Sequence, residues 1–121
     1  MLIKNFILAG LGGFLGTLLR YAVSLIVKPG AFPSATFIVN ITGSFLLGVI
    51  LGYTLKYTPE ESNLKIFLAT GFCGGFTTFS SFSFDNINLL KAGNYSYFFL
   101  YVAGSLVIGI FATWLGLLMM K

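Results

Sequence analysis

Asn40, Thr77, Thr78, Ser80, Ser81, Ser83, Tyr101 and Ser105 are uncharged hydrogen-bond donors in stretches otherwise apolar enough to lie in a bilayer. Donors of this kind can replace part of an anion's water shell without a charge that would hold the ion fast. Phe79 and Phe82 stand among them, three residues apart, and Ser80 and Ser83 repeat that spacing one position on. A helix through this stretch therefore carries a phenylalanine stripe beside a hydroxyl stripe. Phenyl rings have positive potential at their edges and can meet a small anion edge-on, although by residue type alone core packing is the simpler reading of Phe79 and Phe82. Asn40 has the same double reading. Its amide donates two hydrogen bonds and carries no charge, which suits an anion, but it suits an interhelical hydrogen bond equally well.

Other chemistries are poorly provided for. The chain has no histidine, a single cysteine at Cys73, and three acidic residues in all. That excludes an intrachain disulfide and a cysteine-based metal cluster, and no paired intramembrane carboxylate or phosphate-binding loop remains to support an enzyme. A proton-coupled exporter would want a carboxylate embedded in its helices; the sole candidate, Asp85, falls beside a helix end. A noncatalytic assembly subunit would not need two phenylalanines and several hydroxyls in one short stretch. Seven scattered Lys and Arg residues suit lipid headgroups and leave no nucleic-acid footprint.

The elements that must position these side chains follow from composition. Of 121 residues, 57% are hydrophobic and 8% charged, far below the roughly 25% charged residues of an ordinary soluble domain. The reading is an all-α integral membrane protein, residues 1–121 forming one domain of four transmembrane helices at about 5–27, 34–56, 63–90 and 96–120. Met1 to Val27 is read as a retained helix, because Arg20 and Tyr21 stand where a signal peptide would have its apolar core or cleavage site. The organising stretch is Gly71 to Phe84. Gly74-Gly75 and Thr77-Thr78 loosen a helix there, so the third helix is expected to break in its middle. A break at membrane depth must be buried, line a cavity or hold an ion.

Small residues fill the other helices. Gly12 and Gly16, Ala9 and Gly13, and Ser44, Gly48 and Gly52 recur at intervals of four and allow close helix approach. The turn at Lys28 to Pro33 predicts that helices 1 and 2 are antiparallel neighbours. With four spans, Lys4, Lys56, Lys65 and Lys121 fall on one side, and Lys28, Lys91 and Arg20 on the other. Four against three gives almost no orientation signal, and such a chain can insert both ways and pair as an antiparallel dimer. Arg20, near a helix end, either snorkels to the interface or takes a buried pairing or anion-attracting role.

Three ordered motifs, GGFLGTLLRY, ATFIVNITGSFLLG and GFCGGFTTFSSFS, closely resemble the Fluc fluoride channels, the CrcB family, and the match covers the whole chain. The resemblance implies a dual-topology dimer in the cell membrane, with two pores carrying fluoride passively out of the cell. Matched by position, Phe79 and Phe82 are the pore phenylalanines, Asn40 the amide donor, Thr78 and Ser81 nearby hydroxyls, and Tyr101 and Ser105 the polar positions of the last helix. Arg20 matches the arginine near the aqueous entrance. A structural sodium ion at the dimer centre is implied too, held by backbone carbonyls of Gly74 and Thr77. Gly109 stands where many members have serine, and Asp85 where glutamate is usual. Some members are paired heterodimers; the balanced Lys and Arg count favours a homodimer.

Overall fold

The computed structural model describes residues 2–58 and 62–121, and these are helical almost throughout. Helix α1 spans Leu2–Ile26, α2 Ser34–Tyr57, and the last helix, α5, Tyr95–Met119. These three are long and apolar enough to cross a membrane. Between α2 and α5 the chain forms a helix in two halves. The first, α3, comprises Lys65–Cys73, wound as a π-helix, and one α-helical turn, Gly74–Phe76. The second half, α4, spans Phe79–Lys91.

The interruption is real, but glycine does not make it. Gly74 and Gly75 are helical, whereas Thr77 (φ −87°, ψ 156°) and Thr78 (φ −150°, ψ 120°) are extended. Threonine tolerates this conformation because its branched side chain suits extended backbone and its hydroxyl can bond the backbone locally. Before α3, Ser62 Oγ accepts from Lys65 N at 3.2 Å and from Thr58 Oγ1 at 3.3 Å. Ser62 thus caps the start of α3 with a hydroxyl, while Pro59, Glu60 and Glu61 lie outside the described residues.

Glycine instead sets which helices touch. A Cβ at Gly12 or Gly16 would run into the backbone of Phe67, Phe72 and Phe76; one at Gly71 or Gly75 would run into the backbone of α1 at Ala9, Gly12 and Gly13. Helices α1 and α3 thus meet main chain to main chain, the close approach that drives association where lipid supplies no hydrophobic force. Gly48 and Gly116 do the same between α2 and α5, against the backbone of Thr113 and of Phe45 to Val49. Helices α1 and α2, expected to be neighbours, do touch, though over much less length than α1 with α3 or α2 with α5. Each uses its glycine seam on another partner, and the short turn between them joins two such pairs.

The side chains buried within one copy are few: Val39, Ala69, Cys73, Phe76, Leu89, Tyr101 and Ala112 form the core. Large apolar side chains along α1 and α5 are open, Phe6, Phe14, Phe99 and Ile110 among them. That distribution suits a solvent of hydrocarbon.

Candidate functional site

The two extended threonines leave backbone groups that a continuous helix would have satisfied, and side chains from three directions take them up. Thr77 N and Oγ1 both donate to Cys73 O, at 3.0 and 2.9 Å. Thr78 Oγ1 accepts from Ser81 N at 3.2 Å, capping α4 in the usual hydroxyl fashion. From α2, Asn40 grips the main chain of Thr78 with both ends of its amide: Nδ2 donates to Thr78 O at 3.1 Å, and Oδ1 accepts from Thr78 N at 2.8 Å. From α1, Arg20 Nε donates to Gly75 O at 3.0 Å. Among the described residues no side chain donates to the carbonyls of Gly74, Phe76 or Thr77.

Beside this interruption is a cavity of about 330 Å³, lined by Asn40, Gly74, Thr77, Thr78, Phe79, Phe82 and Ser105, with Ser44, Cys73 and three further apolar residues. Ser105 Oγ is buried and has no hydrogen-bond partner among the described residues. The phenylalanines make one wall. Their ring centroids are 5.7 Å apart, and Phe82 continues to Tyr101 at 4.9 Å. Phe79 is 78% exposed, which leaves the cavity open on that side.

The helix geometry thus brings seven sequence-predicted residues round one space and distributes the other three. Ser81 and Arg20 line a crevice of about 80 Å³ on the far side of Thr78. That crevice shares Ser24, Ala35 and Thr36 with a larger cavity of about 440 Å³ under the turn at Lys28 to Pro33. Tyr101 does not line the phenylalanine cavity; it is fully buried behind Phe82. Its hydroxyl donates to Asp85 Oδ2 at 2.9 Å, and Asp85 lines the larger cavity. Tyr101 therefore positions Phe82 and Asp85.

Sequence reasoning missed the Tyr101–Asp85 pair, which has no local signature across 16 residues. It also missed Cys73 at the cavity and Asn86. The Asn86 amide donates to Phe82 O at 3.0 Å, while its Oδ1 is buried without a partner among the described residues. A helical spacing of four from Phe82 marks that position.

An all-helical multi-pass membrane protein whose interrupted helix borders an uncharged donor-lined cavity is the class that fold and site define. The model of the family described as CrcB-like protein, Camphor Resistance (CrcB), matches residues 7–117, and the chain belongs to that family. It is 48% identical over 117 residues to a protein of Chlorobium luteolum named fluoride-specific ion channel FluC, covering 95% of this chain and 91% of that one. A protein of the same name from Azobacteroides pseudotrichonymphae is 45% identical over 118 residues, with 95% and 94% covered. Listeria monocytogenes has a relative named fluoride-specific ion channel FluC 1, 42% identical over 121 residues, with 98% of each chain covered.

Proposed function

We propose that this chain is a fluoride channel that lets the ion leave the cytoplasm down its gradient and so gives fluoride resistance. The observation that carries the reading is the cavity: Ser105, whose buried hydroxyl has no partner among the described residues, lines the same space as Phe79 and Phe82. An unpaired hydroxyl in hydrocarbon is unfavourable unless something accepts its proton, and a small anion does so. Among the described residues no carboxylate lines that cavity to repel an anion. The relatives' name supplies the ion.

In this reading α3 and α4 together form a fourth crossing, and two copies in opposite orientation make the working unit, with two pores. The open side of the cavity at Phe79 supports a second copy as its missing wall. A structural sodium ion fits the interruption. Among the described residues no group of three or more metal-ligating side chains exists, so a cation would be held by main-chain oxygens. The carbonyls of Gly74 and Thr77 take no side-chain donor, and Gly74 has nothing within 4 Å on the side where a Cβ would lie. Sodium there would offset the partial negative charge of the carbonyl ends of α3.

Fluoride efflux from liposomes containing the purified protein tests the proposal, with Phe82→Ile as the informative variant. A volume-similar swap is tolerated by packing but removes the ring edge. Flux should fall steeply while the dimer persists on gel filtration. Parent-rate flux through a dimeric Phe82→Ile protein would refute the role of that ring, and an inert parent would refute the function.

A further inference from the structure

The Arg20 hydrogen bond separates two roles that an arginine at this depth can play. One is electrostatic, a positive charge gathering anions. The other is mechanical, and three observations favour it. The atom that reaches Gly75 O is Nε, the side-on nitrogen of the fork, at 3.0 Å. Gly75 itself lies against α1, where a Cβ would meet Gly13 O and stand 3.0 Å from Thr17 Oγ1; Gly13, Thr17 and Arg20 follow one another along one helical face. Finally, the accepting carbonyl lies two residues before Thr77, where the helix stops and its C-terminal carbonyls are short of donors.

We infer that Arg20 is a positioning residue, whose Nε–H ties Gly75 to α1 and so fixes the end of α3 opposite the point where Asn40 grips Thr78. Held from α1 on one side and α2 on the other, the extended threonines keep one geometry, and Thr78 and Phe79 keep their places at the cavity. The positive charge is secondary to the placement of one donor. The inference deepens the channel reading and rests on it for its flux measurement.

Two substitutions separate donor from charge. Glutamine places its Nε2 the same number of bonds from the backbone as arginine's Nε, so Arg20→Gln keeps a donor for Gly75 O and removes the charge. Lysine puts a methylene at that position and its ammonium one bond further out, so Arg20→Lys keeps the charge and displaces the donor. In liposomes of equal dimer content, Arg20→Gln should stay within about threefold of the parent's maximal flux, and Arg20→Lys should fall about tenfold or more, with half-saturating fluoride unchanged. Thermal unfolding in detergent should rank parent, Gln, Lys in that order. This ranking does not depend on fluoride, so it stands or falls apart from the channel reading. Lysine equal to or better than glutamine in either measurement overturns the inference, as does a glutamine variant that fails to assemble.

Discussion

Asn40→Ala removes both ends of the amide grip on Thr78, bonds of 3.1 and 2.8 Å. Interhelical hydrogen bonds in membrane proteins average about 0.6 kcal/mol and reach about 1.7, because chains unfolded in the bilayer find other partners. Thr78 is extended and stands at the helix interruption, so its N–H and C=O have no helical alternative in the folded state. The upper end of that range applies to each bond. The expected loss is about 2–3.5 kcal/mol, or about 30- to 300-fold in the unfolding equilibrium. Equilibrium unfolding in mixed micelles, followed by helical circular dichroism, reads it directly. Asn40→Asp should lose at least as much, since an ionised carboxylate still accepts from Thr78 N but sets its other oxygen against Thr78 O, acceptor against acceptor. It should also stop fluoride flux more completely, because an ionised carboxylate at the cavity repels an anion. A loss below about 0.5 kcal/mol for Asn40→Ala, within the range of an ordinary surface change, would refute the view that this amide holds the interruption together.

Gly16→Ala should cost about 1–3 kcal/mol of stability, since its Cβ would meet the Phe72 and Phe76 backbone, whereas Gly10→Ala, with nothing within 4 Å, should leave the melting temperature unchanged or higher. Equal effects of the two on thermal unfolding would contradict the glycine seam. Ser105→Ala should leave stability intact, because its hydroxyl has no partner to lose, while cutting flux about tenfold; a stability loss with unchanged flux would reverse the assignment. Tags on the C-terminus should label from both sides of the membrane in comparable amounts, and strictly one-sided labelling would remove the antiparallel pair. Exchanging sodium for a large organic cation during purification should lower the dimer fraction on gel filtration if Gly74 and Thr77 hold the ion, and an unchanged fraction would refute that site.

The helices and the interruption were legible because bilayer physics leaves few options: long apolar runs between charges read as spans, and hydroxyls after a glycine pair mark irregular backbone. The residues at fault in the interruption were harder to name. Gly74 and Gly75 look like the weak point, yet glycine in lipid serves close packing as readily as flexibility, and which use prevails depends on whether a partner backbone lies across from it, as Gly13 does for Gly75. The π-winding of Lys65–Cys73 left no trace in residue type, since a change of winding alters periodicity and not composition. Asn40 was legible as a polar group at depth, but its partner 38 residues away is a main-chain group, and every residue has one. Tyr101 read as a cavity donor for the same reason: sequence shows the hydroxyl, and only packing shows that Asp85 already holds it.

The exposed ring of Phe79 bears on when such a molecule can be dangerous to its owner. A newly inserted chain, alone in the bilayer, has acyl chains lying where its cavity is open. Hydrocarbon makes a good stopper for ions, so on the proposed pairing an unpaired copy would be sealed by the membrane itself. Leakage would start only when a second copy pushed that lipid aside and completed the wall. Assembly would then act as a safety catch, and cells could make the chain in excess without depolarising, because the insulation comes from the solvent in which the protein folds.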